Sequence, residues 1–199
     1  MVFRPHDLLW LSSRDALQGE LPEWAARWHP ALPVVMRRDS DAQRRVPVGI
    51  RGPARHQRAA AWTEASAAVR RLTPEALIDF LPDTAYRLLP PVQSALRLAQ
   101  KAWPWGWGIT GSVGYALATG EPVIHAGSDL DLLIRAPEQP AAAELQRWQR
   151  FCASLPCRVD TQVETRSGGF ALAEWLRDNR AMLKTNHGPV LTADPWEEP

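Results

Sequence analysis

Two short stretches decide the fold of this chain: Ile109-Thr-Gly-Ser112 and Gly127-Ser-Asp-Leu-Asp-Leu-Leu-Ile134. The first has the pattern of a strand end, a small-residue turn and the start of a helix, and the second that of a buried strand with a D-x-D motif. In an extended strand residues i and i+2 share a face, so Asp129 and Asp131 project together while the intervening leucines point into the core. The pattern predicts two carboxylates beside a helix N-terminus.

The charge of this pair indicates its chemistry. Two carboxylates on one face repel each other unless a cation joins them, and Mg²⁺ usually takes one or two carboxylates plus substrate phosphates. Gly111 allows the backbone to approach a ligand, and the N–H groups and hydroxyl at the Ser112 helix start suit a terminal phosphate. We therefore predict Mg²⁺ held by Asp129 and Asp131, both catalytic, and attack on a phosphate ester or anhydride.

A third carboxylate often completes such a site. The stretch Arg158-Val-Asp-Thr-Gln-Val-Glu164 alternates polar and apolar residues, which predicts a strand with Asp160 and Glu164 on one face. We take Asp160 as the third catalytic carboxylate and Glu164, near the strand end, as the alternative. An exposed polar face of an edge strand is the purely structural interpretation of the same pattern.

The rest of the chain predicts an α/β (α+β) fold in two domains. Residues 1–85 contain apolar segments broken by proline and arginine, then alanine-rich helix 59–71 and a helix beginning at Thr73, which together form a smaller N-terminal α/β domain. Residues 86–199 form a catalytic domain, a mixed sheet flanked by helices. Its predicted elements are helix 92–101, strand 107–110, helix 112–118, strand 130–135, helix 141–155, strand 158–164 and helix 170–179.

Composition excludes several classes of protein. No run approaches the roughly 20 apolar residues of a membrane helix, and the N-terminus lacks the layout of a signal peptide, so we expect a cytoplasmic protein without membrane contact. The two cysteines, Cys152 and Cys157, cannot complete a zinc site or a disulfide framework. The formal net charge of +1 argues against nucleic-acid binding through bulk electrostatics.

One segment is strongly basic despite this balanced total. Residues 37–58 contain seven arginines against two aspartates. Guanidinium groups bind phosphate and carboxylate through two parallel hydrogen bonds, so the segment predicts a surface for an anionic substrate or protein. The candidate substrate-binding residues are Arg51, Arg55 and Arg58, with Arg44 and Arg45 behind them; a solvated basic loop is the alternative.

The order of Gly-Ser, helix, D-x-D strand and acidic strand resembles the nucleotidyltransferase superfamily, the fold shared by DNA polymerase beta and many small transferases. One branch is closer, because motifs along almost the whole chain are similar to those of malonate decarboxylase holo-acyl-carrier-protein synthase, also called phosphoribosyl-dephospho-CoA transferase. These motifs are Val46-Pro-Val-Gly-Ile-Arg-Gly52, Arg55-His-Gln-Arg58, Gly111-Ser112, Ser128-Asp-Leu-Asp-Leu-Leu133, Ala171-Leu-Ala-Glu-Trp175 and Asp194-Pro-Trp196. Seventeen positions separate Ser112 from Asp129, a longer gap than polymerase-like members usually show.

The resemblance implies a defined reaction. An enzyme of this family attaches the phosphoribosyl-dephospho-CoA portion of 2'-(5''-triphosphoribosyl)-3'-dephospho-CoA to a serine of the malonate decarboxylase acyl carrier protein and releases diphosphate. The resemblance also implies that Asp129 and Asp131 are catalytic and that Mg²⁺ neutralises the leaving diphosphate. With such a donor and acceptor, the arginine-rich N-terminal domain, residues 1–85, is expected to bind the substrate or the carrier protein. Two alternatives remain open: an ATP-dependent nucleotidyltransferase acting on another protein, small molecule or RNA, and a non-catalytic module that binds a nucleotide.

Overall fold

The computed structural model describes residues 2–54 and 56–197, and the chain forms two compact units, Met1–Thr73 and Pro74–Pro199. The boundary expected near residue 85 falls inside the second unit. The reason is the short 3-10 helix Ala76–Phe80, which belongs to the packing of that unit: Leu77 is buried there, and the Ile109 N–H donates to the Pro74 carbonyl at 3.0 Å. The predicted mixed α+β architecture is confirmed.

The first unit is a five-stranded sheet in which every neighbouring pair is antiparallel. Its strands are β1 (Leu8–Leu11), β2 (Val34–Met36), β3 (Val46–Arg51), β4 (Arg58–Thr63) and β5 (Ala68–Leu72). They lie in the order β4-β3-β2-β1-β5, which makes β4 and β5 the edges. In the described residues of this unit, helical structure is limited to the 3-10 turns Arg14–Ala16, Glu23–Arg27 and Ala65–Ala67.

The helix predicted over residues 59–71 is wrong. Its first half is β4, which pairs with β3 without interruption from Thr63 opposite Val46 to Arg58 opposite Arg51. Its second half is β5, which pairs with β1. Alanine favours helices in isolation, but this preference amounts to less than about 1 kcal/mol per residue, and pairing against an apolar strand outweighs it. The helix predicted from Thr73 is also only the 3-10 helix Ala76–Phe80.

A buried ion pair links the residue that precedes β1 to strand β5, at one edge of this sheet. Asp7, which is 0% exposed, accepts a hydrogen bond from the backbone N–H of Arg4 at 2.9 Å. The same carboxylate oxygen lies 2.7 Å from Nε of Arg71, whose side chain is 22% exposed. Asp7 precedes β1 and Arg71 lies in β5, so the pair fixes the β1–β5 edge of the sheet.

Removal of this buried charge is expected to destabilise the first unit. In Asp7→Asn the shape is kept but the largely buried Arg71 loses its counter-charge, so we expect a loss of about 3 kcal/mol in the free energy of unfolding. The matched control is Asp39→Asn, because Asp39 pairs with Arg37 across 3.5 Å with both side chains more than a third exposed. There we expect about 0.5 kcal/mol or less. Urea denaturation measures both, and equal losses would contradict the prediction.

The second unit is a six-stranded mixed sheet flanked by helices. Its elements are α1 (Pro90–Ala99), β6 (Gly106–Ile109), α2 (Gly111–Thr119), β7 (Leu130–Arg135), α3 (Ala142–Ala153), β8 (Val159–Glu164), β9 (Gly169–Ala171), α4 (Leu172–Asp178), β10 (Ala181–Thr185) and β11 (Gly188–Thr192). The strand order is β11-β10-β9-β8-β7-β6, with β7 and β8 parallel and the other pairs antiparallel. Every element predicted between residues 92 and 179 has a counterpart, but the helix predicted over 170–179 begins only at Leu172, because Phe170 and Ala171 belong to strand β9. Strands β9, β10 and β11 were not predicted.

Tryptophans close one side of the core of this unit. Trp148, which is 0% exposed, donates a hydrogen bond from Nε1 to Oγ1 of Thr161 in β8 at 3.0 Å. The rings of Trp103, Trp105 and Trp107 pack edge-on against it at centroid distances of 4.7, 6.1 and 5.8 Å. These rings therefore anchor α3 to the sheet. Among the helices of residues 2–54 and 56–197, none combines the length and the apolar character needed to cross a membrane.

Candidate active site

The start of α2 and the start of β7 bring Gly111 and Asp131 into direct contact. Gly111 has a φ of 62°, a left-handed conformation that glycine adopts without the penalty of a Cβ atom. A Cβ atom at this position would overlap Oδ2 of Asp131, so the carboxylate packs on the glycine backbone. The Thr110 N–H donates to the Asp131 carbonyl at 2.9 Å and holds the end of β6 against β7. The half-exposed Asp131 and Ser112 thus flank the helix N-terminus.

Asp129 immediately precedes β7, at the end of a tight turn. The backbone N–H of His125 donates to Oγ of Ser128 at 3.0 Å, and the Ser128 N–H donates back to the His125 carbonyl at 3.0 Å. On the other side of Asp129, the Leu130 N–H donates to the Arg158 carbonyl at 2.9 Å. Asp129 is therefore placed between two hydrogen-bonded segments, with its side chain half-exposed.

Asp160 lies opposite Asp131 on the neighbouring parallel strand β8, so the two residues share one face of the sheet. Its side chain is 49% exposed and pairs with Arg158 at 3.1 Å. Glu164 is buried and lies 3.9 Å from the guanidinium of Arg135. It is four residues farther along β8, roughly 13 Å at the rise of a strand. This placement favours Asp160 over Glu164 as the third carboxylate, which remains a prediction.

Cys157, for which the sequence indicated neither a zinc site nor a disulfide, lies close enough to Asp129 for that carboxylate to affect its pKa. Cys157 is half-buried and donates to Oγ of Ser94 in α1 at 3.2 Å. Burial raises the pKa of Cys157, and the nearby Asp129 carboxylate raises it further; burial raises the pKa of Cys152 to about 12. Both groups therefore stay protonated at neutral pH, unlike the thiolates of nucleophiles and metal sites. No spacing signal could have placed Cys157 here, because the contact depends on the packing of α1.

The donor set at this position fits a hard divalent cation. Asp129 and Asp131 offer carboxylate oxygens two residues apart at the start of one strand, and the missing side chain of Gly111 leaves the space that the Asp131 carboxylate occupies. Mg²⁺ in enzymes is usually held by one or two carboxylates together with substrate phosphates. Within residues 2–54 and 56–197, no three His, Cys, Asp or Glu side chains converge into a metal-binding group.

The candidate arginines belong to the first unit. Arg51 ends β3 and Arg58 begins β4, and the two lie directly opposite each other. Arg55 lies outside the described residues. Arg45 is held by Asp41 through an Nε to Oδ2 contact of 2.8 Å, and this guanidinium lowers the pKa of the Asp41 carboxyl. The structure thus brings Asp131, Asp160 and Gly111 together in one unit and pairs Arg51 with Arg58 in the other.

Comparison with known proteins covers both units of the chain. Residues 76–195 match the family model "Phosphoribosyl-dephospho-CoA transferase MdcG C-terminal domain", and residues 4–74 match the corresponding MdcG N-terminal domain. No solved structure matches the chain.

Curated relatives align along nearly their whole length. A phosphoribosyl-dephospho-CoA transferase of Klebsiella pneumoniae is 58% identical over 196 residues, 97% of this chain and 96% of the relative. Proteins of the same name from Pseudomonas putida and Azotobacter vinelandii are 43% and 42% identical, over 97% and 98% of this chain and 95% of each relative. The chain therefore belongs to the phosphoribosyl-dephospho-CoA transferase family of enzymes.

Proposed function

We propose that this transferase moves the phosphoribosyl-dephospho-CoA group from 2'-(5''-triphosphoribosyl)-3'-dephospho-CoA to a serine of the malonate decarboxylase acyl carrier protein, with release of diphosphate. The observation that carries the proposal is the contact between Asp131 and Gly111 at the N-terminus of α2. This contact places a carboxylate, which can hold a cation, beside backbone N–H groups that favour anions. Transfer of a group from a triphosphate requires both. Family membership supports the choice of donor.

Asp129 and Asp131 are the proposed ligands of Mg²⁺. When bound, the ion supplies positive charge that neutralises the phosphate oxygens and the leaving diphosphate. The N-terminus of a helix favours anions, so Gly111 and Ser112 at the start of α2 are proposed to orient the terminal phosphates. Asp160, opposite Asp131, contributes further negative charge on the same face.

The proposed step is an in-line displacement. The oxygen of the acceptor serine forms a bond to the phosphorus next to the ribose, and the bond from that phosphorus to the diphosphate oxygen breaks. The electron pair of the broken bond leaves with the diphosphate, and a carboxylate of the site accepts the proton of the serine hydroxyl. Arg51, Arg55 and Arg58 are proposed to bind the anionic donor or the carrier protein.

Intact-mass spectrometry tests the proposal. The apo carrier protein of malonate decarboxylase is incubated with this enzyme, Mg²⁺ and the triphosphoribosyl donor. The expected result is a mass increase equal to one phosphoribosyl-dephospho-CoA group, together with diphosphate in a separate enzymatic assay, and loss of both on addition of EDTA. A carrier protein whose acceptor serine is replaced by alanine is the matched control and should remain unmodified.

Two other results would point to different functions. An AMP-sized increase on another acceptor, with ATP as the donor, would indicate an ATP-dependent nucleotidyltransferase and overturn the proposed donor. Binding of the triphosphoribosyl donor without any product, on any acceptor tried, would indicate a module that binds a nucleotide without turnover.

A further inference from the structure

The face of the six-stranded sheet that carries the candidate carboxylates also carries a lysine. On β8, Asp160 lies opposite Asp131, and Glu164 lies on the same face four residues later. Glu164 is opposite Gly169 of β9, and Gly169 is opposite Lys184 of β10. Because residues directly opposite each other share a face, Lys184 lies on the same face as the candidate site.

The positive charge of Lys184 is not used by a carboxylate of the chain. Strands β6 to β11 contain two cationic residues, Arg135 and Lys184. Arg135 contacts two carboxylates, with Nε 3.0 Å from Oε1 of Glu75 and a guanidinium nitrogen 3.9 Å from Glu164. Lys184 is exposed, and among the described residues no ion pair joins its ammonium to a carboxylate. Its charge is therefore available to an anion from outside the chain.

A neighbouring glutamine gives the ammonium a defined position on this face. Nε2 of Gln162 donates to Oε1 of Glu164 at 2.6 Å, and Nζ of Lys184 lies 3.4 Å from the other end of the same amide, Oε1 of Gln162. A Cβ atom at Gly169 would overlap the side chains of Gln162 and Glu164, so the glycine leaves the space that they occupy. Because Gln162 belongs to β8, the lysine side chain reaches across β9 toward the strand that carries Asp160.

The position of the ammonium suits a ligand that also contacts the candidate metal site. Gln162 is two residues from Asp160, roughly 7 Å along the strand. Asp129, Asp131 and Asp160 make this part of the unit negative, so a polyphosphate needs cations there to offset the repulsion. Lysine is a common ligand of phosphate, which it binds as a point charge. A phosphorylated ligand that is held at Asp129 and Asp131 and extends along β8 therefore meets Lys184.

We infer that Lys184 binds a phosphate group of the donor and so extends the donor site from the start of β7 to β10. The inference rests on the proposed function, which supplies a donor with two phosphorylated groups. These are the 5''-triphosphate and the diphosphate within the dephospho-CoA portion, and both offer the phosphate oxygens that an ammonium binds. An acidic surface of the carrier protein is the competing partner, and the test distinguishes it from the donor.

The test measures phosphate binding separately from catalysis. Isothermal titration calorimetry of the full chain with Mg²⁺ gives the Kd of inorganic triphosphate and, separately, of dephospho-CoA. Lys184→Met keeps an unbranched side chain and removes the charge, and the Kd of at least one ligand should rise about tenfold. Lys184→Arg, which keeps the charge, should retain most of the affinity. The control is Lys101→Met, at the only other lysine of the sequence, an exposed residue 5.8 Å from the Phe151 ring, which should bind both ligands like the wild type. Melting curves check that each variant is folded.

Steady-state kinetics of carrier modification completes the test. Lys184→Met should raise the KM for the donor with little change in kcat, because the contact is made equally in the ground state and the transition state. Weaker binding of dephospho-CoA alone assigns Lys184 to its diphosphate, and weaker binding of triphosphate alone assigns it to the triphosphate; either result supports the inference.

Three results would overturn it: unchanged affinity for both ligands, no binding of either ligand by the wild type, or a higher KM for the carrier protein alone. Weaker ligand binding by Lys184→Met, in an enzyme whose wild type never modifies the carrier, would support the inference and overturn only the proposed function.

Discussion

Asp131→Asn is expected to reduce the rate of group transfer by roughly a thousandfold, about 4 kcal/mol of transition-state stabilisation. Asparagine keeps the shape of the side chain at the contact with Gly111 but removes the negative charge that we propose as a ligand of Mg²⁺. The fold should be unaffected because Asp131 is half-exposed and its backbone carbonyl, the acceptor of the Thr110 N–H, remains. The measurement is the initial rate of carrier modification by mass spectrometry over a range of Mg²⁺ concentrations.

The same substitution at two further aspartates tests whether the loss of rate depends on position. Asp178→Asn makes the same chemical change at a surface ion pair with Arg177 on α4 and should leave the rate unchanged. Asp160→Asn should give an intermediate loss, because Asp160 faces the same side of the sheet but is already paired with Arg158. Wild-type turnover in Asp131→Asn would exclude the mechanism with two carboxylates. Equal losses in all three variants would show that the effect does not depend on the site.

The sheet that carries these aspartates could be predicted because its signals are local. Strand 130–135 was predicted with the same bounds as β7, since its leucines and isoleucine are almost fully buried while Asp131 is left half-exposed by the alternation of a strand. Helix 112–118 falls within α2, which begins one residue earlier at Gly111 and ends at Thr119, followed by Gly120 as a left-handed cap. In such segments burial pattern and turn chemistry favour the same structure.

The first unit could not be predicted in the same way because its structure depends on partners far along the chain. Residues 59–63 have the composition of a helix and become an edge strand only because β3 offers six consecutive pairing positions. The hairpin of β10 and β11 was missed for a different reason. Its first strand alternates buried Ala181 and Leu183 with exposed Met182 and Lys184, and Gly188 at φ 118° begins the second strand, so a period-two pattern and a turn residue were present.

Some features of the candidate site also required three-dimensional information. The motifs predict carboxylates near the start of α2, but they do not indicate that Asp131 packs directly on Gly111, because a helix and a loop separate the two residues. Their contact follows from the antiparallel pairing of β6 with β7, in which Ile109 lies opposite Leu132. The position of Asp160 opposite Asp131 likewise depends on the register of two parallel strands, which the alternation of residues 158–164 alone leaves open.

Gly111→Ala is expected to lower the transfer rate to about one per cent of the wild-type rate, although the substitution removes neither a charge nor a hydrogen-bonding group. The new methyl group would occupy the position of the Asp131 Oδ2 atom, so the carboxylate must rotate away from the helix N-terminus. A displacement of about 1 Å in a positioned group is enough to lower a rate a hundredfold. The alanine also adopts a φ near 62° at a cost of about 1 to 2 kcal/mol in stability.

The opposite end of α2 provides a control that separates the loss of activity from the loss of stability. Gly120 has a φ of 76°, and a Cβ atom there would meet nothing within 4 Å. Gly120→Ala should therefore lose a similar amount of stability and keep full activity. In the double variant Gly111→Ala/Asp131→Asn the rate should fall little below that of Asp131→Asn, because residues in contact are not additive when one substitution disables the other. Full activity in Gly111→Ala, or equal loss of activity in Gly120→Ala, would show that the contact between Gly111 and Asp131 does not govern the reaction.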